Sequence, residues 1–164
     1  MTQTVTIFKN IKETEAPFHR NVLFVLNRIK DGATKELVKR IRKEKNKSER
    51  NELKKMLPAI CFSGVFNKRA DNALQTHSGL ICLDFDGYSK NKELLQDKEN
   101  LCKDKYVMSA FISPSGDGLK VIVKIPADVE NHVNYFNSLQ QHFNSPNFDK
   151  VTKNVSRVCY ESYD

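Results

Sequence analysis

Tryptophan is absent from this chain of 164 residues, and cysteine, proline and glycine number only four, five and six. No internal repeat or low-complexity tract is present, so the length reads as one domain, long enough to bury a real core. The cysteines (Cys61, Cys82, Cys102, Cys159) form no Cys-x-x-Cys pair, and three of them lie in apolar, strand-like stretches. That usage fits reduced, mostly buried thiols in a cytoplasmic protein. The histidines, at 19, 77, 132 and 142, are scattered away from them, which argues against a zinc site. No apolar run approaches membrane-spanning length, so no membrane partner is expected. The opening Met-Thr-Gln-Thr-Val-Thr is neither a basic n-region nor an apolar h-region.

Positive charge is in excess and unevenly placed. The formal net charge is +7, yet Lys35 to Lys55 alone holds ten Lys or Arg against four Glu. A basic stripe of this kind suits a polyanion such as nucleic acid, although a solvated Lys-rich helical face has the same composition.

Periodicity orders the elements. Thr4–Lys9 alternates and predicts a first strand, at a sheet edge. Arg20–Ile29 has helical spacing and is stopped by Asp31-Gly32. A second helix is expected from Thr34, as N-cap, to Lys45, and a third from Ser48 with Leu53, Met56 and Leu57 inward, ended by Pro58. Beyond Pro58 the expectation is a strand at Ala59–Phe62, a polar connection from Ser63 to Ser78 and a strand at Leu80–Phe85. A helix at Lys90–Cys102 follows, then a hairpin of Tyr106–Ile112 with Leu119–Ile125. A helix capped by Asp128 runs to Phe143 with Val129, Val133, Phe136, Leu139 and Phe143 on one stripe. A loop and a strand at Val155–Tyr160 close the chain. The expected fold is α+β, an RRM-like (split βαβ) antiparallel or mixed sheet core over 58–164 with a strand and basic helices over 1–57. All of 1–164 is one domain, read as a fragment of a longer protein.

Three stretches could carry chemistry. Gly79-Leu-Ile-Cys-Leu-Asp-Phe-Asp-Gly87 is a strand ending in two aspartates one residue apart, so Asp84 and Asp86 share a face. Like charges that close repel unless a cation joins them, and Mg²⁺ is commonly held by one or two carboxylates plus substrate phosphates. A strand ending in a polar turn has the same letters. Ser113-Pro-Ser-Gly-Asp-Gly-Leu-Lys120 gives backbone N–H groups, two hydroxyls and an ammonium suited to phosphate, or simply a hairpin loop. Asp149 and Arg157 form the third, each equally at home on a solvated surface, and Arg69 has the same standing.

Taken together, Asp84-x-Asp86, a Ser-Gly-x-Gly-x-Lys turn about thirty residues on and a later Asp resemble the archaeo-eukaryotic primase (primase–polymerase) superfamily. The resemblance is closer still to the primase-like N-terminal domain of VirE-type proteins of bacterial mobile elements. Leu57-Pro-Ala, Ser63-Gly-x-Phe66, Arg69, Ser78-Gly-Leu80 and Ser156-Arg-x-Cys-Tyr-x-Ser-Tyr-Asp164 carry that second likeness. The resemblance implies a template-directed nucleotidyltransferase. Asp84, Asp86 and Asp149 would be catalytic and hold Mg²⁺ or Mn²⁺, with Asp164 ranked below Asp149. Ser113, Ser115, Gly116, Gly118, Lys120, Arg157 and Arg69 would bind nucleotide. Lys39, Arg42, Lys43 and Lys54 would hold the template. Nucleoside triphosphates and single-stranded DNA are the implied partners, with a helicase domain possible in the parent protein. Lys120 stands where the superfamily more often has histidine, and lysine supplies charge but no imidazole. A catalytically silent DNA-binding or recruitment module of the same fold is the alternative. Leu83-Asp-Phe-Asp-Gly also looks like the nucleophile motif of haloacid-dehalogenase-like phosphatases, but the parallel sheet and acidic pair those need are not legible downstream.

Overall fold

In a computed structural model, described over residues 3–164, the chain is an α+β fold of antiparallel sheets and five α-helices. None of the described helices is long and apolar enough to cross a membrane. In chain order the elements are β1 (Thr4–Phe8), β2 (Phe18–Asn21), α1 (Val22–Asp31), α2 (Lys35–Lys43), α3 (Lys47–Lys54), β3 (Ala59–Cys61), β4 (Gly64–Phe66) and β5 (Leu74–His77). There follow β6 (Leu80–Phe85), α4 (Asn91–Leu101), β7 (Val107–Ile112), β8 (Leu119–Lys124), α5 (His132–Phe143) and β9 (Cys159–Tyr160).

The site depends on the three-stranded sheet, ordered β6-β8-β7 and antiparallel throughout. Its two faces are apolar for different reasons. Ile81, Leu83 and Phe85 of β6, with Leu119, Val121 and Val123 of β8, pack under Leu94 and Leu101 of α4 and Phe136 and Leu139 of α5. The alternate residues Leu80, Cys82 and Ile122 face Val22, Val25 and Ile29 of α1 and the second sheet, ordered β2-β1-β3-β9. Asp84 and Lys120 fall on this second face by the same alternation.

The free edge of β6 is taken by Asn147–Asp149. Asp86 N–H donates to the Asn147 carbonyl (2.8 Å), Asp149 N–H to the Asp84 carbonyl (2.9 Å), and Phe85 bridges Phe148. Phe148 is pinned edge-on against Phe85 (5.3 Å between centroids) and Phe136 (5.2 Å). Such pairs add roughly 0.5–1.5 kcal/mol each beyond their buried area. They hold the backbone of a segment that has almost no regular structure.

Several expectations are corrected. β1 lies inside its sheet, because Phe18–Asn21 forms an unforeseen strand at the edge. Thr34 precedes α2, but its hydroxyl donates to the Ser162 carbonyl instead of capping. Asn46, not Ser48, caps α3 by accepting from the N–H groups of Ser48 and Glu49. Met56 is exposed while Leu57 is buried, because α3 stops at Lys54. The polar stretch 63–78 folds into the β4–β5 hairpin. Val129 and Val133 are exposed, and His132 takes the inward position. The last strand shrinks to Cys159–Tyr160.

His132 is paired with His77 of β5 at 3.0 Å, Nδ1 to Nε2. His77 Nδ1 accepts the Gly79 N–H, so its Nε2 carries the hydrogen that His132 receives. Burial lowers both pKa values. It takes His132 to about 4, with His77 adding to the effect and Asp71 opposing it, and Asp128 opposes the drop at His77. The unfolded chain takes up a proton near 6.5, and the fold refuses it until about 4. Stability from this pair is therefore complete above pH 6.5 and declines as pH falls towards 4, by on the order of 3 kcal/mol. Urea titrations across that range should show the decline, and His132→Leu should flatten it. The same slope in both proteins would remove the pair from the account.

Candidate functional site

Three adjacent backbones place three side chains in a row. On β8, Lys120 is the register partner of Asp84, and on the other side of β6 the chain places Asp149 beside Asp84. Asp86 follows two residues on and shares the face. Across from it stands Gly118, where an added Cβ would come within 2.4 Å of Asp86 Oδ1 and 2.8 Å of the Phe85 carbonyl. The glycine at 118 therefore makes room for a carboxylate. It was expected to make room for phosphate.

Carboxylate oxygens of Asp84, Asp86 and Asp149 all lie within 4.8 Å of one another. Asp84 is buried, Asp149 half-buried and Asp86 at the rim. An all-oxygen donor set of this kind could hold a hard divalent cation. One oxygen of Asp149 is already committed, accepting the Val151 N–H at 2.9 Å. Asp86 titrates above the usual carboxylate range: partial burial raises it, Asp84, Asp149 and Asp117 add to that, and Lys120 opposes it.

The sheet answers this negative charge from within. Lys120 Nζ is 2.8 Å from Asp84 Oδ2, with both side chains largely buried, and Arg157 Nη2 approaches the same oxygen at 3.6 Å. Burial acts to lower the Lys120 pKa, but the Asp84 carboxylate outweighs it and holds the pKa above normal. Lys120 is thus a fixed cation on the innermost carboxylate.

The row opens into a cleft of about 480 Å³, within the range of small-molecule sites. Ser113, Pro114, Ser115 and Asp117 of the β7–β8 turn form one wall, and Arg157, Val158 and Tyr160 a second. Lys47, Arg50, Asn51 and Lys54 of α3 form the third. Of the residues anticipated, the cleft gathers Asp84, Asp86, Asp149, Ser113, Ser115, Lys120, Arg157 and Lys54.

The remaining residues lie elsewhere. Gly116 (φ +83°) shapes the turn but does not line the cleft. Arg69 sits in the β4–β5 connection, its N–H bonded to the Thr14 carbonyl. Lys39 pairs with Glu36, and Lys43 is exposed on α2, both away from the cleft. Arg42 is no free template contact: it lies against Gly116 and donates to the carbonyls of Ser113 and Tyr163. Asp164 accepts from the Lys98 ammonium and the Ile112 N–H, and it does not line the cleft.

Lys47, Arg50 and Tyr160 were not foreseen. Summing charge over residues 35–55 hides the spacing of Lys47, Arg50 and Lys54, three and seven positions apart, which puts them on one helical face.

Residues 52–164, more than half of the chain, match the family model described as BT4734-like, N-terminal domain. No curated protein and no solved structure matches the chain.

Replacing Lys120 by Met should leave Asp84 buried without its ammonium. Removing one partner of a buried pair costs about 3–5 kcal/mol. The metal-free variant should melt lower than wild type, and added Mg²⁺ or Mn²⁺ should raise its Tm more than that of wild type. Equal metal-induced shifts would show that Lys120 does not offset the carboxylate charge.

Proposed function

The chain belongs to the BT4734-like N-terminal domain family, and from the site it carries we propose that it is a template-directed nucleotidyltransferase of primase–polymerase type. The observation that carries the proposal is the convergence of Asp149 with Asp84 and Asp86, which lie far earlier in the sequence, in a cleft that has a cationic wall opposite. The strand order supports an RRM-like core. With Phe148 as a vestigial fourth strand on the outer edge of β6, the series runs Phe148-β6-β8-β7, with α4 and α5 on one face.

In this reading Asp84, Asp86 and Asp149 hold Mg²⁺ or Mn²⁺. When bound, such an ion stabilises negative charge on the reacting phosphate and on the leaving oxygen. The 3′ oxygen of the growing strand forms a bond to the α-phosphorus of a nucleoside triphosphate and loses its proton to solvent. The bond from that phosphorus to the β-phosphate oxygen breaks, and pyrophosphate leaves. The protein's own task is positioning and charge. Arg157 and Ser115 line the cleft where phosphate oxygens would lie, and Lys120 prevents the Asp84 carboxylate from repelling them. Nucleoside triphosphates and single-stranded DNA are the partners, and the place of action is the cytoplasm.

A catalytically silent single-stranded DNA-binding module is the second reading. The Lys120–Asp84 ion pair favours it, because an internal cation already meets part of the charge a metal would balance.

Primer synthesis on single-stranded templates with Mg²⁺ or Mn²⁺ separates the two. Wild type should extend, and Asp84→Ala, Asp86→Ala and Asp149→Ala should each lose at least about a hundredfold, as expected when a principal electrostatic contribution is removed. DNA binding that is indifferent to EDTA, with no synthesis by wild type, would select the silent module.

A further inference from the structure

The inner face of α3 is the least explained part of the cleft. Lys47, Arg50 and Lys54 line it, and none of them forms an ion pair among the described residues. Elsewhere on this surface lysines find carboxylates readily, as Lys39 does with Glu36 and Lys55 with Glu52. Three side-chain polar atoms are buried with no hydrogen-bond partner, Arg42 Nε, Arg50 Nε and Ser113 Oγ, and the last two belong to residues that line the cleft. Ser113 is only 5% exposed. Buried donors left unmade cost about 1–3 kcal/mol each, so the presence of these two in one cavity points to a missing acceptor. Lys54 agrees with this. Burial lowers its pKa, Asp117 opposes that drop, Lys120 and Arg50 lower it further, and Asp86 opposes it.

We propose that the α3 face with Ser113 is a polyphosphate site, in which Arg50, Lys54, Lys47 and the Ser113 hydroxyl hold the phosphates of a nucleoside triphosphate. The occupant is a compact polyanion, because the cleft has small-molecule dimensions and its orphan donors sit within it, beside the carboxylate rim. An extended strand would be served as well by Lys39 and Lys43, which lie outside. Guanidinium presents a rigid fork to phosphate, and Arg50 is the one cleft arginine without an acidic partner. The phosphates are thereby assigned to a helix that begins ahead of the family match at residue 52, and not to Gly116 and Gly118 of the turn. The identity of the ligand as a nucleotide rests on the nucleotidyltransferase reading. The anion site itself does not.

Inorganic tripolyphosphate, titrated calorimetrically into the full chain in EDTA, tests the site without metal or template. Wild type should bind. Arg50→Ala should weaken binding about tenfold or more and Ser113→Ala and Lys54→Ala by several-fold, the scale of one charge-assisted hydrogen bond. Lys39→Ala and Lys43→Ala should stay within about twofold, since long-range charge alone is screened. Arg50→Lys, which keeps the charge and loses the fork, guards against misfolding and should recover part of the loss. Equal losses at Lys39 and Arg50 would reduce the site to diffuse attraction and overturn the proposal. So would Arg50→Ala that loses oligo-dT binding and keeps tripolyphosphate, which would make α3 a template track. Asp84→Asn should retain tripolyphosphate binding. Intact binding with no primer synthesis by wild type would therefore discard the polymerase reading and leave the anion site standing.

Discussion

Everything at the site follows from one constraint: Asp84 is a carboxylate on an inward face of a sheet. A charge there cannot be left alone, because the desolvation penalty of an isolated ion is several kcal/mol. Antiparallel register supplies the remedy directly. Lys120 stands opposite on β8 and reaches Asp84 at 2.8 Å. The same register sets Gly118 against Asp86, so that the second carboxylate fits over the strand end. One pairing therefore decides where charge is balanced and where it is left in excess. The excess lies at the rim, on Asp86 and Asp149, where a cation could enter from solvent.

That register would be of little use if the turn joining β7 and β8 were loose. The segment from Tyr160 to Asp164 prevents this. Glu161 is almost fully buried and takes both ends of the Arg28 guanidinium from α1, at 2.8 and 3.0 Å. Ser162 donates to the Ile112 carbonyl at the end of β7, and its own carbonyl accepts from Thr34. Arg42 then joins the Tyr163 carbonyl to that of Ser113. Helices α1 and α2 are thus fastened to the C-terminal segment, and α2, through Arg42, to the turn itself. Their first physical role is to hold the turn.

How much of this was legible depends on the range of the interaction. The β6 strand was read to its exact ends, because alternation and the following Gly87 are local signals. Asp84 and Asp86 were placed on one face by the same period of two. Asp149 stands out only weakly in the sequence and gains its metal role from a family likeness, and its position comes from Phe148 packing against Phe85 and Phe136, contacts that no local pattern displays. Gly118 was assigned to phosphate because turn composition looks alike whether the space is for a ligand or for a neighbouring carboxylate. Arg42 is assigned to the template in the sequence because its neutral partners, two carbonyls, leave no trace in a charge profile. The β4–β5 hairpin was missed because its residues are mostly polar. Its docking relies on Phe66 and Leu74, on the Thr6 hydroxyl, which donates to the Gly64 carbonyl and accepts the Phe66 N–H, and on a histidine pair between distant elements.

Helix α3 changes the charge balance of the cleft. Asp84, Asp86, Asp117 and Asp149 bring four carboxylates, which Lys120 and Arg157 only partly offset. A triphosphate brought to that rim alone would be repelled more strongly than it was attracted, since field strength rises in a partly desolvated cleft. The three cations of α3 reverse the balance on the opposite wall, leaving a gradient from acidic rim to basic helix. A polyanion can then lie with its terminal phosphates on the cationic side and its reacting phosphate towards the carboxylates, without crossing a repulsive barrier. The basic segment, on this view, is part of the cleft because it supplies the half of the electrostatics that β6 cannot.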